Sequence, residues 1–256
     1  MILSRRVALN GQQLDELDER IVIRSINPGV PNETLSETQR MGGAGSRLTG
    51  QHWNILDVIV VYAINVPKTD LETRRNIFDM VNAWAKAGGW LTINYMPGKR
   101  AYIDKTLLPA SGDLWQWTNE FTITFRAYNV PFWQDEEAQK AVKQLSNGTM
   151  NVHVNGTERT VLNASLKNVS GQSIKDISIG CGKYTLKFSG INLGASATLV
   201  ISHGTDGLLT AKVGSTSVYS KITGADDLYA DPGDRTVSIT ATRALEVTVE
   251  SYGRYV

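Results

Sequence analysis

The sequence predicts a mainly β protein of two domains, and three observations carry that expectation. Trp117, Phe121, Ile123, Phe125 and Ala127 share one parity, while Thr118, Glu120, Thr122, Thr124 and Arg126 share the other. A period of two marks a strand with one dry face and one wet face. Only one segment, Thr69 to Ala87, carries convincing helical spacing. From Asn147 to Tyr255 the chain breaks into short strand-like runs separated by turn dipeptides. At 256 residues it exceeds the usual domain size of ~100–150. The expected architecture is an α+β first domain, an antiparallel β-sandwich with one helix, followed by a second domain that is a jelly-roll or related β-sandwich.

In order, Ile21, Ile23 and Ser25 alternate with Val22, Arg24 and Ile26, and Asn27-Pro28-Gly29 makes a turn. Pro31 to His52 shows no period. It reads as a long polar arm, loosest at Met41-Gly-Gly-Ala-Gly45, and such a segment inside a compact domain is functional or disordered. Asn54 to Asn65 is apolar on nearly both faces, which suits a central strand. Thr69-Asp-Leu-Glu72 reads as a capping box opening the helix. Leu71, Ile77, Phe78, Val81, Trp84 and Ala85 form its apolar side, Arg74, Arg75, Asp79 and Asn82 lie elsewhere, and Gly88-Gly89 ends it.

Two strands, Trp90–Tyr95 and Arg100–Leu108, flank Met96-Pro97-Gly98-Lys99, a type II turn pattern. The strand at 120–127 ends before Pro131, and Phe132 and Trp133 form an apolar plug. Pro131, Phe132 and Trp133 are therefore the expected hinge, with a first domain at 1–135, a polar linker at 136–147 and a second domain at 148–256. Expected strands in the second domain are Thr149–Val154, Thr157–Leu166, Ile174–Gly180, Tyr184–Ser189, Ala197–Ser202, Leu208–Lys212, Thr236–Ala241 and Ala244–Tyr252.

A net charge of +1 and a pI near 7.8 give no general footprint for nucleic acid or anionic membrane. The lone Cys181 excludes an internal disulfide, and no Cys/His cluster has zinc spacing. Met1-Ile-Leu followed by Ser-Arg-Arg lacks the apolar core of a secretory signal, and Val58–Ile64 is too short to span a bilayer. The expectation is a soluble protein without membrane insertion.

Candidate chemistry is sparse. Gly42–Gly45 lacks the Gly-Lys-Ser/Thr ending and flanking elements of a phosphate loop, so a flexible loop is the better reading. Asp226, Asp227, Asp231 and Asp234 have neither calcium-loop spacing nor a partner acid for glycoside hydrolysis, and read as turn residues. No serine lies in a nucleophile elbow. Five Asn-X-Ser/Thr patterns read as strand and turn composition. The second domain has tyrosines but no tryptophan for sugar stacking, and Trp84, Trp90, Trp115 and Trp117 read as core. No catalytic residue, cofactor or metal site is expected.

The capped helix 69–87 followed by Gly88-Gly-Trp90, the strand 120–127 running into Pro131-Phe-Trp133, and a β second domain closing on Ser220-Lys-Ile-Thr-Gly-Ala-Asp-Asp-Leu-Tyr229, Asp231-Pro-Gly233 and Ser251-Tyr-Gly-Arg-Tyr255 together resemble the distal tail protein (Dit) family of long-tailed, non-contractile bacteriophages. The resemblance spans nearly the whole chain. It implies a structural hub rather than an enzyme: a hexameric ring at the distal end of the tail tube, in the virion tail, made in the host bacterial cytoplasm. First domains would line the channel, with DNA a partner only in passage, and galectin-like jelly rolls would project outward. Partners would be other copies of the chain, the tail tube protein, the tail-tip or tail-associated hub protein and a receptor-binding protein. The arm and its end, Arg40, Arg47, His52 and Trp53, are the expected subunit interface. The alternatives are a carbohydrate-binding host-attachment module and a tail-tube subunit.

Overall fold

The computed structural model describes residues 5–39, 46–109 and 118–256, with the backbone alone at 39, 46–49 and 51. The chain divides into two compact units, Met1–Trp133 and Gln134–Val256. Both are built from antiparallel sheets, and α1 is the α-helix among the described residues.

The first unit begins with two short strands that the sequence did not announce, β1 (Val7–Leu9) and β2 (Gln12–Gln13). Then follow β3 (Ile21–Asn27), the hairpin β4 (Glu33–Gln39) and β5 (Ser46–Trp53), β6 (Leu56–Ile64), α1 (Leu71–Lys86), β7 (Gly89–Ile93), β8 (Lys99–Ile103), β9 (Lys105–Leu107) and β10 (Glu120–Ala127). One sheet includes the order β2-β1-β7-β8, and another is β3-β6-β10-β9. The second has the expected central strand: β6 pairs with β10 from Leu56↔Ala127 to Ala63↔Glu120, and with β3 on its other side. Inward parity puts Leu56, Val58, Val60 and Tyr62 opposite Ala127, Phe125, Ile123 and Phe121, all buried.

Helix α1 covers this core. Phe78 lies 5.1 Å from Phe121 between ring centroids, and Trp84 meets Phe125 edge-on at 5.9 Å. Such aromatic pairs contribute about 0.5–1.5 kcal/mol beyond the area they bury. Trp84 Nε1 also donates to Gln12 O at 3.2 Å, which ties the helix to β2. Arg74 is fully buried, contrary to its expected place off the packed side. Its guanidinium donates to Val66 O, Asn119 Oδ1 and Thr118 O, so hydrogen bonding rather than apolarity takes it inward. Trp90, expected in the core, is half-buried with the Arg100 guanidinium 3.9 Å from its ring centroid.

The helix cap also differs from the sequence reading. Asp70, not Thr69, is the N-cap, and its Oδ1 accepts from Thr73 N at 3.1 Å. A turn closed by Asp70 N–H donating to Pro67 O leaves Thr69 outside the helix, and aspartate ranks above threonine as a cap. These hydrogen bonds from Thr73 hold the Asp70 carboxyl below its usual range. A depressed folded pKa means that the cap's contribution is present above the unfolded value near 3.9 and is lost as pH falls through the folded value. Asp70→Ala should therefore lower the thermal midpoint at pH 7, with the difference from the parent shrinking as pH drops below about 4. Equal midpoints at pH 7 would remove the cap's role.

The short strand β11 (Trp133–Asp135) leads to β12 (Gln139–Val154) and β13 (Thr160–Asn168). Strands β14 (Ile177–Cys181), β15 (Tyr184–Phe188), β16 (Thr198–His203), β17 (Leu209–Val213), β18 (Thr216–Ser217), β19 (Ile222–Gly224), β20 (Tyr229–Ala230), β21 (Gly233–Ser251) and β22 (Arg254–Tyr255) complete the second unit. The expected linker 136–147 is mostly strand: β12 starts at Gln139 and pairs with β21 from Gln139↔Ser251 onward. Its polar composition reflects its position as a strand paired on one side and exposed through most of Gln139–Thr149, not a lack of structure.

The two strands expected at 236–241 and 244–252 are one, β21. The break between them survives as an irregularity in pairing, because Leu145 faces Leu245 while Asn147 faces Thr240. On either side of that bulge β21 serves a different neighbour, β14 through Val237–Ala241 and β13 through Leu245–Ser251. Val237, Ile239 and Ala241 before the exposed Arg243, and Leu245, Val247 and Val249 after it, face inward and join a core with Leu162, Leu166, Ile179, Leu186 and Leu199.

Candidate functional site

The expected arm is a β-hairpin. β4 and β5 pair from Glu33↔Trp53 to Gln39↔Ser46, with a register shift between Ser36 and Glu37, and form a two-stranded sheet of their own. Its period was invisible in the sequence because neither face is apolar: Glu33 to Thr38 are all exposed, Leu35 at 50%. An isolated two-stranded ribbon is marginal in water. Its base is fastened by Asn54 N–H donating to Asn32 O at 2.8 Å and Asn54 Nδ2 donating to Thr34 Oγ1 at 2.6 Å.

Of the expected interface residues, His52 is exposed on β5 and Trp53 is half-buried at the hairpin's foot. Arg47 lies on β5, where the backbone alone is described. Arg40, the glycines of 42–45, Trp115 and Trp117 lie outside the described residues. The structure brings Trp53 together with the expected hinge: its ring meets Phe132 edge-on at 6.0 Å and 76°. Pro131, Phe132 and Trp133 are buried. Trp133 Nε1 donates to Pro28 O at 3.1 Å, so the plug closes on the Asn27-Pro28-Gly29 turn. Gly29 N–H donates to Asn27 Oδ1 at 3.0 Å, and Gly29 has φ +67 with Asp57 O where a Cβ would stand. Only glycine fits that turn.

The acids of the second unit have structural partners. Asp231 Oδ1 accepts from Arg159 Nε at 2.8 Å, and the guanidinium holds that carboxyl below its usual range. Asp234 lies 2.7 Å from His153 Nδ1 at the surface. Asp227 is buried, with Oδ1 2.6 Å from His203 Nε2 and also accepting from Leu228 N–H. His203 Nδ1 in turn lies 2.8 Å from Asn163 Oδ1. Sequence reasoning missed this Asn163–His203–Asp227 array, because three residues on separate elements leave no spacing to read. Burial pushes the Tyr229 hydroxyl up and the neighbouring Arg254 guanidinium down. Among the described residues no group of His, Cys, Asp and Glu could hold a metal ion, and no helix is long and apolar enough to cross a membrane.

The crystal structure of SPP1 Dit (gp 19.1), described as a paradigm of the hub adsorption apparatus in phages infecting Gram-positive bacteria, matches with a TM-score of 0.68 at 12% identity, over 98% of this chain and 99% of that one. The fold is a Dit fold. Chains of the phage p2 baseplate in its activated conformation, with Sr and with Ca, align at TM-score 0.43 and 9% identity over 96% of this chain and 97% of theirs. No family model matches the sequence, and no curated protein is similar to it in sequence.

Proposed function

We propose that this chain is the structural hub of a phage tail tip, closing head-to-tail into a ring, hexameric by the resemblance, at the distal end of the tail tube. The observation that carries the reading is the correspondence with SPP1 Dit from end to end, through both units. The hairpin adds support: a two-stranded ribbon with Glu33–Thr38 exposed has a reason to persist if a neighbouring copy covers it. Arg40, Arg47, His52 and Trp53 are then the residues at that contact. The first units line a channel for DNA, and the ring joins the tail tube protein to the tail-tip hub protein and to receptor-binding proteins. Its place is the virion tail. The structural partners of Asp227, Asp231 and Asp234 favour a role without catalysis.

Purified full-length protein, with and without its tail neighbours, tests this by negative-stain microscopy and light scattering. Closed rings whose mass is a multiple of 28.1 kDa are expected. Joining Asn32 to Asn54 through a short Gly-Ser turn should leave the far-ultraviolet spectrum strongly β and abolish the rings. A persistent monomer at high concentration overturns the hub, stacked tubes select a tube subunit instead, and rings that survive loss of the hairpin overturn the arm's part in closure.

A further inference from the structure

The outer face of β12, β21, β13 and β16 holds an open groove of about 270 Å³. Register sets its lining. Lys140 stands opposite Glu250, and Glu250 opposite Asn163; in the next row Thr248 faces Ser165, which faces Val200. Lys140 Nζ and Glu250 Oε1 are 3.2 Å apart, and Val200 is 41% exposed.

Asn163 is the fixed point. The backbone N–H of His203 donates to its Oδ1 at 3.1 Å, which settles which end of the carboxamide is oxygen. The ring Nδ1, 2.8 Å from the same atom, must then also donate. On its far side the ring is braced by Asp227, and the two side chains are only 4% and 10% exposed. A buried histidine and aspartate therefore hold the Asn163 oxygen inward, and its NH2 is the group left for the groove.

We propose that this groove binds a neutral saccharide. A lone anion there would face Glu250 and a lone cation would face Lys140. An apolar molecule would strip water from both charges and return no hydrogen bond. A pyranose meets all the groups present: its hydroxyls donate to the Glu250 carboxylate, accept from Lys140 Nζ and Asn163 Nδ2, and exchange hydrogen bonds with Ser165 and Thr248. Its C–H face lies over Val200. With no aromatic ring in the lining, binding is weak, with a dissociation constant of about 1–10 mM for a single sugar. His203 and Asp227 are positioning residues that act through Asn163.

The probes are methyl β-D-galactopyranoside and methyl α-D-glucopyranoside, followed by saturation-transfer NMR on the full chain, which works for monomer and ring alike. Transfer to the ring protons of at least one glycoside is expected. Asn163→Asp keeps the oxygen that His203 holds and replaces the donor by an acceptor. It should weaken binding by about tenfold or more while the far-ultraviolet spectrum stays that of the folded parent, and Glu250→Ala, which leaves the Asn163–His203–Asp227 array untouched, should do the same with the melting curve unchanged. No transfer from either glycoside, or Asn163→Asp binding as tightly as the parent, overturns the proposal. Rings without transfer overturn the groove alone, whereas monomers that bind sugar overturn the hub alone.

Discussion

Replacing Trp133 with alanine is expected to destabilise the first unit by about 3–5 kcal/mol, measured by urea unfolding of the full chain. The side chain is 2% exposed and is among the largest fully buried side chains in the protein. Truncation leaves a cavity, and two features hinder its collapse. The Asn27-Pro28-Gly29 turn beside it is pinned by a glycine whose close approach to Asp57 O admits no other residue. On the other side Phe132 is held against Trp53. The indole also satisfies Pro28 O, which would lose its partner. Trp133→Phe keeps most of the apolar area and loses the donor, so it should cost less, about 1–2 kcal/mol. A loss below ~1 kcal/mol for alanine would mean that the indole is not held in this turn. Stability measured beside ring assembly would separate a folding defect from an interface defect, which matters because Phe132 packs on Trp53, itself one of the residues proposed at the subunit contact.

How much of this was legible depended on whether burial or pairing shaped the segment. Strand β10 was plain because one face is buried and the other is not, which writes a period of two into the sequence, and the central strand β6 was plain as a nearly continuous apolar run. The helix was plain for the same reason at 3.6 residues. Hairpin β4–β5 and the first half of β12 were not, although both are regular strands. Glu33–Thr38 of the hairpin are exposed on both faces, and in β12 the partly buried Ala141 and Leu145 stand among exposed Lys140, Val142, Lys143 and Gln144, so backbone pairing defines these strands more than an apolar period does, and backbone carries no residue signature. The bulge in β21 was seen as a break because Thr242 and Arg243 are exposed between inward-facing Ala241 and Leu245, yet the pairing with β12 shifts register there without ending the strand. At the candidate sites, Trp53 and Phe132 were chosen for separate reasons and are in contact. The Asn163–His203–Asp227 array could not be chosen at all, since a hydrogen-bonded triad across a loop and two strands depends on register that the sequence does not spell out.

Arg74 shows the same limit in the helix, and its replacement should have the other large effect. As a cation early in α1 it sits where the helix dipole favours negative charge, so propensity and dipole both argue for a place in solvent. Instead it is 0% exposed, and its guanidinium fork reaches three acceptors that apolar residues could not satisfy: Val66 O before the helix, and Thr118 O and Asn119 Oδ1 at the approach to β10. One side chain therefore fastens the start of the helix to the strand that completes the central sheet. Arg74→Ala removes a charged donor from buried acceptors and opens a cavity, and should cost about 3–5 kcal/mol. Arg74→Lys keeps the charge but offers a point donor where a planar fork is needed, and should recover less than half of that loss. Amide exchange at Phe121 and Ile123 should accelerate in the alanine variant, because β10 loses its tie to α1 while its ladder with β6 remains. If Arg74→Ala loses under ~1 kcal/mol and leaves exchange along β10 unchanged, the guanidinium is not what joins the two elements, and apolar contacts such as Phe78 against Phe121 suffice.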